Sequence, residues 1–236
     1  MLKNLTLITF FSLVLANEVN AQTQKESQII SSGEAVPPTA AAPKKANRRT
    51  AGSTGKDSAA ERFERASVET MRAQCVKLET GAGIIELEMF PESAPESVRN
   101  FLNLAASGAF DTTKFNRVVP GFVVQGGNLG TREKLTPELF KRAQRAVPDE
   151  PSLIKHERGI LSMARTDAPN SATTNFFILV REARHLDGTF AAFGRVTSGM
   201  EVVDAINKMP VDGDKPTKPV RLDRAVVAPC PVRTEP

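Results

Sequence analysis

The sequence predicts a mainly β domain, a closed antiparallel barrel with capped ends, behind an N-terminal extension. Three observations support this fold class. Several short segments alternate apolar and polar residues, glycine and proline turns separate them, and only two segments show the spacing of a principal helix. Without its apolar leader and low-complexity part, the 236-residue chain keeps about 165 residues, enough for one hydrophobic core.

Residues 1–21 have the pattern of a secretion signal. Lys3 gives a short positive start, residues 5–16 form an apolar run, and residues 19–21 offer small side chains for cleavage. Because the run is too short to span a bilayer, we expect no stable membrane insertion after cleavage. The predicted location is therefore outside the cytoplasm, periplasmic or extracellular. A retained anchor helix or a buried N-terminal helix is the alternative.

Residues 22–74 predict a disordered, basic, low-complexity linker. Between Pro37 and Lys56 there are five basic residues and no acidic one. Such a segment buries too little apolar surface to offset the entropy lost on ordering. A solvated spacer is the simpler interpretation, and an adaptor that binds anionic lipid or wall polymer is the alternative. Only residues 59–72 have a weak helical pattern.

Residues 75–236 are the predicted domain, which opens with a hairpin and a helix. A strand over residues 75–80 and a glycine turn precede a second strand, whose apolar residues are Ile85, Leu87 and Met89. Pro95 suits the first turn of a helix that ends at Gly108. Its apolar positions follow the spacing of one helix face: Val98, Phe101, Leu102 and Ala105.

The sequence of the rest of the domain predicts mainly short strands. They are predicted at residues 113–119, 121–125, 160–164, 175–180, 190–196 and 221–228, with a second principal helix at 200–207. The long stretch 128–152 contains a short basic amphipathic helix. Thr136 is its N-cap, Pro137 lies in its first turn, and its apolar side is Leu139, Phe140, Ala143 and Val147. We expect this helix to pack on the barrel; a changed substrate preference is the alternative.

One arginine and one glutamine stand inside the largely apolar run 115–127. They are Arg117 and Gln125. A buried charge needs an anionic partner or a ligand, so the run predicts either a salt bridge at a strand end or a binding site. With two cysteines and two histidines in the whole chain, a disulfide scaffold and a four-cysteine zinc site are excluded.

Five motifs, in this order, resemble the cyclophilin family of peptidyl-prolyl isomerases. They occupy residues 115–127, 159–165, 170–178, 185–188 and 193–196. The resemblance runs from about Cys75 to Ala228 and implies an eight-stranded antiparallel barrel closed by two helices, with the active groove on its outer face. It also makes the first and last strands antiparallel neighbours, so a disulfide between Cys75 and Cys230 is one expectation and two unpaired thiols the other.

The resemblance assigns the site residues. Arg117 matches the catalytic arginine and Gln125 the polar residue beside it. The other matched positions are the proline-pocket walls Phe122, Val123, Phe177 and Leu186, the backbone segment Ala164 and Arg165, and the flanking residues Asn175 and His185. Four of these positions or their neighbours depart from the family pattern: Asn116, Arg165, Asn175 and His185. The shorter amide of Asn175, in place of glutamine, puts its contact with a peptide backbone in doubt.

The implied function is isomerisation of Xaa-Pro bonds in proline-containing peptides and unfolded exported proteins. The resemblance implies a monomer and calls for no cofactor, metal or nucleic acid. A non-catalytic proline-peptide binding module, or an envelope adaptor or holdase, is the alternative. A hydrolase built from His156 or His185, Ser162 or Ser171, and Asp187 is disfavoured, because neither serine lies on a nucleophile elbow.

Overall fold

The computed structural model describes residues 61–231, and within them the protein is mainly β. The predicted signal and most of the predicted linker lie outside the described residues. The strands are β1 Gln74–Thr80, β2 Gly83–Met89, β3 Thr113–Lys114, β4 Arg117–Val119, β5 Val123–Gly126, β6 Ile160–Met163, β7 Phe176–Leu179, β8 Ala192–Ser198, β9 Val211–Asp212, β10 Lys215–Pro216 and β11 Arg221–Pro229. The helices are α1 Val68–Arg72, α2 Pro95–Ala106, α3 Pro137–Arg142 and α4 Met200–Asn207. Single 3₁₀ turns lie at Leu129–Thr131 and Arg184–Leu186.

One curled antiparallel sheet contains nine of the strands. Their order is β3-β11-β1-β2-β8-β6-β7-β5-β4, and β9 and β10 form a separate hairpin. The two edge strands, β3 and β4, follow each other in the chain and are separated only by Phe115 and Asn116. The sheet therefore bends until its first and last strands are consecutive segments.

The closed eight-stranded barrel of the sequence prediction differs from this ladder in the number of strands. The predicted strand 113–119 is two strands, because the amide of Phe115 donates to the carbonyl of Val220 and that of Val118 to the carbonyl of Asp214. Counting 113–119 as one strand would give eight. In the part of the chain that the structure describes, the strand ladder is a nine-stranded curled sheet that begins at β3 and ends at β4, and closure of the barrel stays a prediction.

The central strands are buried on both faces. On β5 and β7, Val124, Phe176 and Ile178 belong to the main core inside the sheet, whereas their chain neighbours belong to a second cluster on the outer face. This outer cluster consists of Phe122, Val123, Ile160, Ala164, Phe177, Leu179, Ala183, Leu186, Phe190 and Ala192. Because side chains alternate across a strand, such doubly buried strands read as continuous apolar runs.

Residues 61–73, called the N-terminal strap below, correct the predicted domain boundary. They fall within the predicted linker, but Phe63 and Met71 are 2% and 0% exposed and belong to the main core. Ser67 caps α1 by accepting a hydrogen bond from the amide of Thr70. The linker prediction is wrong for this part, because two widely spaced large apolar residues in a polar stretch suffice to anchor it.

The predicted amphipathic helix is shorter than expected, and a different set of its side chains faces the core. Thr136 caps α3 as predicted, through its Oγ1 and the amide of Leu139 at 3.3 Å. Leu139 and Ala143 pack against the main core, whereas Phe140 is 53% exposed. The predicted apolar side thus splits, with Phe140 on the solvent side.

A disulfide joins Cys75 and Cys230, so of the two expectations left open by the sequence the bridged one holds. The two Cα atoms lie 4.8 Å apart, because β1 and β11 are antiparallel partners with Cys75 opposite Ala228. The amide of Cys230 also donates to the carbonyl of Ala73, at the end of the strap. None of the helices within residues 61–231 has the length and apolar character needed to span a membrane.

Candidate active site

Strand register brings the predicted polar residues together on the outer face of the sheet. Arg117 on β4 lies opposite Gln125 on β5, and Gln125 lies opposite Phe177 on β7. Directly paired residues share a face of the sheet, so the three side chains form one row across three adjacent strands. The apolar outer cluster surrounds this row.

Arg117 is held by two partners and is only 6% exposed. Its Nε donates to Oδ2 of Asp214 at 2.6 Å, and its Nη1 donates to Oε1 of Gln125 at 3.0 Å. Its Nη2 is also buried and has no hydrogen-bond partner among the described residues. The salt bridge that the sequence left as an alternative therefore exists, and the guanidinium still retains a donor group for a ligand.

Asp214 is a site residue that the sequence analysis missed. It follows Gly213 in the tight connection between β9 and β10, far from Arg117 in the chain. The Asp-Gly pair at 212–213 is a turn signal. That signal predicts the turn, but it does not indicate that the turn faces Arg117.

Phe122 is positioned by the turn between β4 and β5 and by helix α4. Gly121 has a left-handed φ of 71°, which suits glycine in the second central position after Pro120. Asn207, at the end of α4, accepts from the amide of Gly121 and donates to the carbonyls of Val119 and Val123. One buried asparagine thus fixes the turn that carries the aromatic ring.

The predicted pocket walls all meet in the outer cluster. Phe122, Val123, Phe177 and Leu186 are each no more than 1% exposed, and Ala164 lies with them. Phe190, which the sequence analysis did not name as a site residue, joins them with its ring 6.1 Å from that of Phe177 in an edge-to-face arrangement. The sequence feature that could have identified Phe190 is its place in a predicted strand soon after Leu186.

Charged and polar side chains lie against the rings of Phe122 and Phe190 in this cluster. The guanidinium of Arg165 lies 4.8 Å from the ring centre of Phe190, and that of Arg181 lies 5.5 Å from the ring centre of Phe122. The ring of His185 lies 5.8 Å from that of Phe122. Such cation–π contacts are favourable where water is excluded. The side chain of Arg165 therefore belongs to the site as well as its main chain.

The segment at Ala164 is tied to Asn175. The amide of Ala164 donates to the carbonyl of Asn175 at 3.0 Å. The side-chain oxygen of Asn175 is buried and accepts no hydrogen bond from the described residues. Asn175 therefore lies beside Ala164, and its contact with a peptide remains a prediction.

Asp187, His156 and Ser162 form a buried line that has the order of a hydrolase triad. Oδ1 of Asp187 lies 3.2 Å from Nδ1 of His156, and Nε2 of His156 lies 3.3 Å from Oγ of Ser162. However, Ser162 and His156 are 0% exposed, and the hydroxyl of Ser162 donates to the carbonyl of Ala191. The hydroxyl proton of Ser162 is thus directed at a backbone carbonyl rather than at His156, so the line is structural and the hydrolase alternative fails.

We expect His156 to make stability depend on pH. Burial lowers the pKa of His156 despite the opposing effect of Asp187. Below about pH 6.5 this histidine is protonated in the unfolded chain but still neutral in the folded protein. The free energy of unfolding should therefore fall as the pH drops from about 6.5 towards the lowered pKa. Above about pH 6.5 the contribution of His156 to the free energy of unfolding should not change with pH.

Denaturant unfolding between about pH 8 and about pH 5 checks this expectation. In His156→Gln the slope in this window should become shallower, because the contribution of His156 is removed. Asp187 contributes in a separate window, because its lowered pKa makes its contribution disappear only at more acidic pH. An unchanged slope in His156→Gln would contradict the assignment.

Comparisons with known proteins agree with this geometry. Residues 75–227 match the family model described as cyclophilin type peptidyl-prolyl cis-trans isomerase/CLD. A peptidyl-prolyl cis-trans isomerase of Arabidopsis thaliana, CYP18-1, is 39% identical over 154 residues, which cover 64% of this chain and 94% of that protein. Peptidyl-prolyl cis-trans isomerase A of Dickeya dadantii is 37% identical over 165 residues, covering 64% and 83%.

A solved structure shows the same likeness in three dimensions. A cyclophilin type isomerase of Cryptosporidium parvum, crystallised in the presence of the dipeptide Ala-Pro, superimposes with a TM-score of 0.58 at 30% identity. The match covers 65% of this chain and 98% of that chain. The family match at residues 75–227 includes Arg117, Gln125 and Asp214.

Proposed function

We infer how the site works from one premise: the chain belongs to the cyclophilin-type peptidyl-prolyl cis-trans isomerases. It is an enzyme that catalyses rotation about Xaa-Pro peptide bonds. The observation that carries the mechanism is the buried guanidinium of Arg117, which Asp214 and Gln125 hold in place while Nη2 has no partner in the described part of the chain. This arrangement supplies a fixed donor next to an apolar pocket.

The chemistry needs such a donor and no bond cleavage. Rotation about an Xaa-Pro bond destroys amide resonance and crosses a barrier of about 18 to 20 kcal/mol. As the amide twists, the prolyl nitrogen regains a lone pair and becomes a hydrogen-bond acceptor, which it is not in the planar ground state. The guanidinium of Arg117 therefore binds the transition state more strongly than the substrate.

The pocket complements the arginine by holding the proline ring. Phe122, Phe177 and Leu186 contact the ring and hold it while the preceding carbonyl rotates. Exclusion of water strengthens the hydrogen bond that Arg117 donates. An acceleration of four decades requires about 5.5 kcal/mol. One charged donor contributes about 2 to 4 kcal/mol, and orientation of the ring supplies the remainder.

We propose that the enzyme is a bacterial exported protein, periplasmic or extracellular, that acts as a monomer on unfolded exported chains. The leader pattern of residues 1–21 supports export. The Cys75–Cys230 disulfide supports it independently, because disulfides persist mainly in oxidising compartments.

Exchange spectroscopy on an Ala-Pro peptide tests the activity directly. Catalytic amounts of the wild-type protein should produce cis–trans exchange peaks that the peptide alone lacks at the same mixing time, because uncatalysed exchange takes tens of seconds or longer. Binding shifts without exchange peaks would favour the rival interpretation, a binding module that retains the groove without the catalysis.

Export has its own test. Expression of the full chain in a bacterial host should give a product that begins at Gln22, measured by intact mass of the exported fraction. Leu13→Asp, which places a charge in the apolar run, should leave the leader attached and the protein inside the cell. Ser31→Asp adds the same charge beyond the cleavage point and should be processed normally. Normal processing of Leu13→Asp would refute the signal assignment.

A further inference from the structure

We propose that Arg142 is a positioning residue of the active groove: it connects the N-terminal strap to the loop that carries Asn175. This inference rests on the proposed function, since it concerns how peptides bind in the same groove. The two parts that meet at Arg142 are the strap, which precedes the family match at residue 75, and the stretch 128–152, where α3 forms.

The strap is fixed to the domain through Glu61 and Phe63. The amide of Phe63 donates to Oδ1 of Asn103 at 2.7 Å, and Nη1 of Arg99 donates to the carbonyl of Phe63 at 2.7 Å. The carboxylate of Glu61 accepts from Nε of Arg142 and from Nη1 of Arg145. Glu61 thus binds two arginines, at α3 and just beyond it.

Arg142 carries the connection from the strap towards the groove. Its Nη2 donates to Oδ1 of Asn100 at 2.7 Å, and Nδ2 of Asn100 donates to the carbonyl of Thr173 at 2.7 Å. Both ends of the Asn100 amide are occupied, so its orientation is fixed. Thr173 lies two residues before Asn175, whose carbonyl accepts from the amide of Ala164. Hydrogen bonds from the strap to Thr173, the backbone of residues 173–175 and the hydrogen bond at Ala164 together connect the strap to the predicted peptide-binding backbone.

The segment after α3 holds the same loop at two further points. The amide of Val147 donates to the carbonyl of Ala172 at 2.8 Å. Asp149 and Asn170 exchange two hydrogen bonds, each from a backbone amide to the partner's side chain, at 2.8 and 2.9 Å. Loop residues 170–173 are consequently held by residues 147–149, which begin only five residues after Arg142.

Arg142 and Arg145 form a matched pair for a test. Both bind Glu61, but of the two arginines only Arg142 contacts Asn100 in the part of the chain that the structure describes, and its side chain is 15% exposed against 51% for Arg145. Loss of Arg142 leaves the buried amide oxygen of Asn100 without its donor, which costs more than loss of a surface pair. If the strap acts on stability alone, the two positions should differ only in the size of that effect.

The experiment measures kcat and KM of the full chain for two Xaa-Pro peptides. One has three residues before the proline and reaches the Ala164–Asn175 segment, and the other is a capped Ala-Pro. Arg142→Lys keeps a positive charge for Glu61 and loses the fork that also reaches Asn100. We expect it to raise KM for the longer peptide by about threefold to tenfold, with KM for the capped Ala-Pro unchanged and kcat within about twofold.

The controls separate positioning from stability and from activity. Arg145→Lys should leave both KM values unchanged, whereas Asn100→Ala should reproduce the KM increase of Arg142→Lys. Amide hydrogen exchange at Ala164 should become faster in Arg142→Lys but not in Arg145→Lys, and this readout does not depend on catalysis. Unchanged KM and unchanged Ala164 exchange in a folded Arg142→Lys would overturn the inference. An inactive wild-type protein would overturn the proposed function instead.

Discussion

Arg117→Ala should lower kcat/KM for an Ala-Pro peptide by about 10² to 10³, a loss of about 2.7 to 4 kcal/mol of transition-state stabilisation. The substitution removes the donor that the twisted prolyl nitrogen requires, while the walls formed by Phe122 and Phe177 remain. Peptide affinity should therefore change much less than the rate. Exchange spectroscopy and titration of the same peptide measure the two quantities separately.

A control variant distinguishes the arginine from its charge. Arg117→Lys keeps a cation but has no planar fork to contact Asp214 and Gln125 together. We expect it to recover only a small part of the lost rate. If folded Arg117→Ala retained wild-type kcat/KM, Arg117 would not be the catalytic residue.

The second large effect concerns the disulfide. Cys230→Ser should lower the free energy of unfolding by about 4 to 5 kcal/mol, since the bond closes a loop with a sequence separation of 155 residues and restricts the unfolded chain. Denaturant unfolding of the variant and of the oxidised wild type gives the difference. Cys75→Ser should give the same loss.

Reduction of the wild type provides the matched control. The reduced wild-type protein should unfold at the same denaturant concentration as Cys230→Ser, whereas the reductant should leave the variant unchanged. Kinetics on the short peptide should be little affected while the protein is folded, because Arg117 and its partners lie on β4, β5 and the β9–β10 connection. Equal stability of the oxidised wild type and the variant would contradict this prediction.

The sequence predicts well where one local pattern determines the structure. The alternation at Ile85, Leu87 and Met89 predicts β2, and the proline before Val98 predicts the start of α2. Arg117 and Gln125 stand out because each is polar within an apolar run. Strand register then places the two side chains next to each other.

Long-range contacts explain what the sequence did not reveal. Phe63 and Met71 are too far apart to form a periodic pattern, so the strap resembled linker until its packing was seen. Asp214 meets Arg117 across a sequence separation of 97 residues. Phe140 has helical spacing with Leu139 and Ala143, but its exposure depends on how α3 is turned against the domain. None of these contacts follows from local propensity.

The short end strands of the curled sheet limit how another polypeptide could add to the sheet. β3 has two residues and β4 has three, and they are neighbours in the chain. Long unpaired edges act as templates to which another polypeptide can add as a further strand, which leads to aggregation. Edges this short provide few free backbone groups for such growth. A polypeptide that meets this surface therefore finds little sheet edge to which it could add as a further strand.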